Sequence, residues 1–303
     1  GDSCRACHFD PVPGGSGPAG VDVVRHGRWD GSAFTAPSFG TISHRHGAEP
    51  IRPRYAEDAN FVELRQTPTL LGLGLLERIP EAQIMAFADP DDLDGDGVRG
   101  TVHTLPDGRV GRLGWKADVP SVHEFVRDAL SAELGRTLPD EEGFTYGRAS
   151  DDDTTPDPET SLEEIEGITF FIANLAPPVP QSEDPAMEEE GAALFTSMGC
   201  NSCHRVMTLE DGTEVRAYTD LLLHDVAAED YLGMPSFNAP PRMFRTAPLW
   251  GVRDTAPYMH DGLAQTLEAA IAMHFTEAEQ ARLAYESASA EEREALLAFL
   301  ASL

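Results

Sequence analysis

The chain is poor in cysteine, with four in 303 residues, and that scarcity makes coincidence untenable when all four fall in two copies of one pattern. It is also poor in basic residues. Against 52 Asp and Glu stand 22 Lys and Arg, a formal net charge of -30, which argues against nucleic acid or an anionic membrane surface as a partner. The same field either steers a basic redox protein toward the chain or simply keeps it in solution. Apolar runs are short and broken by charge, so no membrane span is expected. No charged and apolar leader precedes the first cysteine, and a signal peptide is expected to have been removed.

The two copies are Cys4-Arg5-Ala6-Cys7-His8 and Cys200-Asn201-Ser202-Cys203-His204. Composition alone yields one such pentapeptide with a chance of roughly 0.002. The pattern is that of c-type haem attachment, in which two thioethers tether the porphyrin and the adjoining histidine ligates iron. Zinc draws on the same residue types, and a disulfide within each pair leaves the following histidine unexplained. Two covalently bound haem c groups are therefore expected, with Cys4, Cys7, His8, Cys200, Cys203 and His204 holding them. Covalent attachment implies maturation outside the cytoplasm, hence a periplasmic or secreted protein.

Helix signals organise the rest. Gly191, Leu194, Phe195 and Met198 fall at helical spacing ahead of Cys200. Ser289-x-x-Glu292 is a capping box opening a stripe of Leu296, Phe299, Leu300 and Leu303. Small cytochromes c begin and end in this way, so residues 186–303 read as one cytochrome c-like domain. Residues 1–178 read as a second, joined through a linker near 176–185, and its motif has no helix ahead of it in this chain. In that half, residues 65–79 suggest an apolar helix or packed loop, and residues 11–20 irregular backbone. Ser121-x-x-Glu124 caps a helix running to Gly135, and Ser161-x-x-Glu164 caps another, stopped by Pro177-Pro178. The predicted class is mainly α, with two cytochrome c-like domains, one haem each, and extended irregular loops.

Two side chains and one loop stand out against these patterns. At 100° per residue, Glu133 projects into the apolar face of Val122, Phe125, Val126, Ala129 and Leu130. Burial raises a carboxyl pKa and a helix C-terminus disfavours negative charge, so Glu133 is either a poised acid/base group or a solvated residue of a frayed end. His274 shares a face with Leu267, Ala270 and Ile271, whereas Met273 points about 100° away. It reads either as a core histidine or as the sixth ligand of the iron bound by His204. Asp92-x-Asp94-x-Asp96-Gly97 follows the first half of a calcium loop, but His103 stands where the twelfth-position acid belongs.

Read together, these residues resemble the bacterial dihaem peroxidase superfamily, and most closely its dihaem oxidoreductases, often labelled thiol oxidoreductases. That label fits poorly, since every cysteine is committed to haem. The resemblance covers nearly the whole chain and is most specific at 65–76 (RQTPTLLGLGLL), 111–117 (GRLGWKA), 220–225 (DLLLHD), 245–251 (RTAPLWG) and 255–262 (TAPYMHDG). The last is shared with dihaem cytochrome c peroxidases and MauG-type enzymes. The resemblance implies that the C-terminal haem accepts electrons and the N-terminal haem meets hydrogen peroxide, with Trp115 between them. It pairs His123 with Glu133 in the peroxide pocket, and makes His123 a pocket residue or an iron ligand. It places His274, fourteen residues after His260, where the peroxidases carry a methionine ligand. It makes Gln66, Thr255 and Pro257 candidate calcium ligands, Gln66 replacing the usual asparagine. The distal histidine of the N-terminal haem is sought among His26, His44 and His46. A peroxide-reducing enzyme fed by a small redox protein is the leading expectation. The rivals are a non-catalytic dihaem electron carrier and MauG-like oxidation of a partner protein through Trp115 and a surface tryptophan such as Trp29.

Overall fold

The computed structural model describes residues 3–44 and 54–303. Helices hold 30% of the chain and strands 13%, so helix leads, but irregular backbone makes up the majority. The helices are α1 (Leu73–Glu77), α2 (Glu81–Phe87), α3 (Val122–Asp128), α4 (Leu162–Ala173), α5 (Pro185–Ser197), α6 (Leu267–Ala272), α7 (Glu279–Ser287) and α8 (Ala290–Ser302).

Their starts follow the capping chemistry. Ser121 accepts the Glu124 amide at 3.2 Å at the head of α3. Ser161 with Glu164 and Ser289 with Glu292 form complete capping boxes on α4 and α8. Asp184 accepts the amides of Ala186 and Met187, and Pro185 occupies the first position of α5, where a missing N–H costs nothing. α5 and α8 cross in direct contact. A Cβ built on Gly191 would lie 2.0 Å from the Ala295 carbonyl oxygen and 2.7 Å from the Phe299 Cβ, so only glycine allows this approach.

The sheets were not anticipated. β1 (Asp22–Trp29) pairs antiparallel with β2 (Phe34–Thr35) and β3 (Phe61–Gln66), in register Asp22↔Gln66 to Gly27↔Phe61. β1 reads Asp-Val-Val-Arg-His-Gly-Arg-Trp, without the apolar alternation that signals a half-buried strand. Two small hairpin-like pairs follow, β4 (Met207–Thr208) with β5 (Glu214–Val215) and β6 (Leu223–Asp225) with β7 (Met243–Arg245).

The helix expected to run from Ser121 to Gly135 is α only as far as Asp128; residues Ala129–Glu133 form one π turn. Gly135 then takes a left-handed φ of +76°, which stops it. In residues 65–79, β3 ends at Gln66 and a packed loop leads into α1, burying Leu70, Leu73, Leu76 and Ile79.

One apolar core draws on both halves of the chain. Leu76, Ile84, Leu113, Val122 and Ile165 pack in the same cluster as Met207, Leu221, Leu222 and Trp250. A second cluster, Phe195, Val252, Tyr285, Leu296, Phe299 and Leu300, belongs to the C-terminal half. The stretch between α4 and α5 has no regular structure but is tied down, since Gln181 N–H donates to the Ser302 carbonyl at 2.9 Å.

Candidate functional site

Two cavities lie on either side of one wall. The C-terminal cavity, about 490 Å³, is bordered by Cys200, Cys203, His204 and His274. The N-terminal cavity, about 860 Å³, is bordered by Cys4, Cys7, His8, His44, Asp128 and Glu133. Gln66, Pro68, Leu70, Gly114, Trp115 and Phe125 face both. Each Cys-x-x-Cys-His motif thus opens onto its own cavity.

In the C-terminal cavity, helix α5 delivers the cysteines. It ends at Met198, Gly199 turns left-handed at φ +85°, and Cys200–Ser202 make a short 3-10 turn. His204 Nδ1 donates to the Tyr218 carbonyl at 2.8 Å, which directs the lone pair of Nε2 away as a ligand atom. His274 Nδ1 does the same toward the Ala270 carbonyl at 2.7 Å. Burial pushes the His204 imidazole down to about 4, and it lowers His274 too. Both therefore stay neutral, the state that binds metal. Two neutral imidazoles with committed Nδ1 atoms, two cysteines and apolar walls from Phe195, Leu249, Ile271 and Leu300 fit a haem.

On the N-terminal side the fit rests on two cysteines and the single His8 that follows them. Burial lowers His8 and raises the thiols of Cys4 and Cys7. Glu133, at the end of the π turn, lines this cavity. Among the described residues nothing hydrogen-bonds its carboxyl, and burial raises its pKa. Asp128 opens the same turn and lines the same cavity. A 3.6-residue period puts these two carboxylates on different faces, so Asp128 passed unnoticed in the sequence.

The candidate distal histidines separate. His44 borders the N-terminal cavity and donates Nε2–H to the Ala132 carbonyl at 2.7 Å, next to Glu133. His26 is fully buried against Phe39 and Tyr55 and does not line it. His46 lies outside the described residues. His123 is kept apart from Glu133, away from the cavity lining: Nε2 meets Glu141 at 3.0 Å, Nδ1 meets Thr169 at 3.3 Å, and the Phe144 ring lies tilted against it at 4.7 Å. Its interval of ten residues from Glu133 does not align the two, because the π turn changes the helical phase between them.

Trp115 sits in the tight turn between Leu113 and Val119, and its Nε1 donates to the Gln66 carbonyl at 2.9 Å. Arg245 pins that turn, donating its amide to the Trp115 carbonyl at 2.9 Å and Nε to Gly114 O at 2.8 Å. Lys116 beside it is fully buried, its Nζ lies within hydrogen-bond reach of the carbonyls of Pro240, Pro241 and Met243, and burial pushes its pKa down.

Of the calcium candidates, Gln66, Thr255 and Pro257 share the lining of the C-terminal cavity. The Gln66 side chain donates to the Gly17 carbonyl at 3.2 Å. In the other loop, carboxylate oxygens of Asp92, Asp94 and Asp96 lie within 4.8 Å of one another, but they cap amides of their own loop, such as Gly97 N–H at 3.0 Å. His103 does not complete that loop; it is buried between the Lys116 carbonyl and Asn238, each at 2.7 Å.

A buried charged cluster also escaped sequence reading. His224 contacts Asp220 and Glu277, each at 2.9 Å, and lies 3.7 Å from Cys203 Sγ. Burial alone pushes His224 down; bonding to Asp220, Cys203 and Glu277 overrides it and holds the imidazolium up to about 12. The i,i+4 spacing of Asp220 and His224 was visible, but their partner Glu277 is more than fifty residues away.

No helix among the described residues is long and apolar enough to cross a membrane. No curated protein matches the chain. Among solved structures, a chain of hydrazine synthase from Kuenenia stuttgartiensis is 15% identical, with 80% of this chain and 73% of that chain covered and a TM-score of 0.45. A MauG-like protein associated with microbial copper homeostasis is 18% identical, with 74% and 89% covered and a TM-score of 0.41. The family model described as "Di-haem oxidoreductase, putative peroxidase" matches residues 38–303, beginning after the first cysteine motif. Spanning most of the chain, that match makes this protein a member of the di-haem oxidoreductase family.

Proposed function

We propose that the protein is a periplasmic or secreted c-type dihaem oxidoreductase that reduces hydrogen peroxide in its N-terminal cavity, with electrons entering at the C-terminal one. The observation that carries this reading is an asymmetry: the two cavities share a wall, yet the C-terminal one offers two neutral histidines and the N-terminal one offers carboxyls free of hydrogen-bond partners. Bound there, the haems supply one-electron redox chemistry and, where a face is left open, a site for peroxide.

The chain's own residues do the rest. Cys4, Cys7, Cys200 and Cys203 would tether the haems, and His8, His204 and His274 would ligate their iron. Trp115 spans the wall as the electron path. Glu133 accepts a proton from one peroxide oxygen and returns it to the other, so that the O–O bond breaks with water as the leaving group. Gln66, with the backbone at Thr255 and Pro257, is the candidate calcium holder in the wall; metal analysis of the purified protein decides it. His44 at the N-terminal cavity favours the second reading, a dihaem electron carrier with both irons closed.

An electron paramagnetic resonance spectrum of the oxidised protein separates the two. The peroxidase reading expects one high-spin and one low-spin haem, with a fast optical change on mixing with peroxide. Two low-spin signals and no reaction with peroxide overturn it in favour of the carrier. His274→Gly is expected to convert the low-spin signal to high spin, while Met273→Leu leaves it unchanged; the reverse pattern moves the ligand to another side chain.

A further inference from the structure

Peroxide reduction consumes two protons and two electrons to make two waters. Glu133 merely moves one of peroxide's own protons from one oxygen to the other, so the two protons taken up must reach a buried cavity by another group. We propose, resting on the peroxidase reading, that Asp128 is the proton-relay residue of the N-terminal cavity. It holds a proton on its carboxyl, passes it to the Glu133 side, takes another from solvent and passes that too, so that two protons and two electrons turn the remaining peroxide oxygen into the second water. The electrons come one at a time from an external redox protein.

The π turn carries this inference. On an α-helix two residues five apart differ by about 140° and face apart. Here Leu134 N–H reaches back five residues to the Ala129 carbonyl at 3.0 Å, and the wider turn brings Asp128 and Glu133 into the lining of one cavity. Single π turns of this kind are frequent where a helix must re-aim side chains. Among the described residues neither carboxyl has a hydrogen bond or an ion pair, and a half-buried carboxyl with no donor favours its protonated form.

The surroundings act in the same direction. Asp128 lies in the field of Arg25 on β1, Asp118 in the turn after Trp115, Glu124 on α3, Tyr146 from the loop beyond and Glu133, and Arg148 also lines the cavity. Burial, then repulsion from Asp118 and Glu133, pushes Asp128 up to about 8, against the pull of Arg25. At neutral pH it therefore keeps the proton that an ordinary aspartate has lost.

Infrared difference titration of the holoprotein reads this directly. Wild type should show a protonated-carboxyl stretch at neutral pH that titrates away near pH 8, the range expected for Asp128. The stretch should be missing in Asp128→Asn, restored in Asp128→Glu and kept in Glu133→Gln. Steady-state peroxide turnover of Asp128→Asn should fall on the order of 10²-fold, with haem content and the first reaction with one equivalent of peroxide retained. Asp128→Glu should recover most of it. Normal peroxide turnover by wild type, combined with an unchanged stretch or an unchanged rate in Asp128→Asn, overturns the relay alone. Wild type that leaves peroxide untouched overturns both readings.

Discussion

Glu133→Gln is expected to slow the first reaction of the oxidised or half-reduced protein with peroxide by about 10²–10⁴-fold, the usual contribution of a positioned proton-transfer group. Glutamine keeps the volume and the hydrogen-bonding capacity and removes only the titratable carboxyl. The π turn should survive, because Val122, Val126 and Leu130 remain buried and Glu133 makes no hydrogen bond that the turn relies on. The pH profile carries the same signature. Burial raises Glu133 above its ordinary 4.5, and the base form does the work. The wild-type rate should therefore climb with pH through a limb above 4.5, and that limb should vanish in the variant. Stopped-flow mixing across pH checks both statements. Equal rates for wild type and Glu133→Gln would return Glu133 to the role of a carboxyl without function.

His224→Leu is expected to cost about 3–5 kcal/mol of stability at neutral pH, because it strips the shared cation from two buried carboxylates. The side chains of His224, Asp220 and Glu277 are 3%, 1% and 8% exposed, so water cannot take its place. Glu277 is held below the ordinary glutamate range, its burial outweighed by the bonds from His224 and from the Asp225 and Arg99 amides. The sign with pH follows from the raised His224. Its stabilisation is complete below about 6.5, the unfolded value, and is lost as pH rises through the folded value that Asp220 and Glu277 hold up. Guanidinium unfolding of the holoprotein between about pH 6 and pH 10 should show this decline in wild type. A variant as stable as wild type would mean that Asp220 and Glu277 are satisfied by the Leu222, Asp225 and Arg99 amides alone.

The two candidate haem-attachment motifs were legible because such a pattern is local. Cys-x-x-Cys-His is five consecutive residues, and the two copies state their number and order without any fold. The capping boxes of α4 and α8 were legible for the same reason, as was the approach of α5 to α8, since Gly191 and the Leu296, Phe299 stripe obey a period. His274 followed from one helical face. Where an interval carried over from the family resemblance was applied here, the structure departs from it: His123 and Glu133, ten residues apart, were expected in one pocket, but Glu133 lines the N-terminal cavity without His123, and the π turn brings Asp128 in. The three-stranded sheet also went unseen, since β1 carries Arg25, His26 and Arg28 where alternation would need apolar residues.

By itself, then, the sequence determined where the two Cys-x-x-Cys-His motifs stand, where the principal helices begin, and that one carboxylate and one histidine lie on apolar faces, all consequences of spacing along the chain. Only the tertiary structure decided which groups meet. Trp115 becomes part of both cavity walls because Arg245, one hundred and thirty residues later, fastens its turn. His44, of the described distal candidates, reaches the N-terminal cavity because Ala132 accepts its ring N–H. Glu277 reaches His224 across more than fifty residues. Such meetings follow from burial and hydrogen bonding between distant segments, which no local pattern encodes.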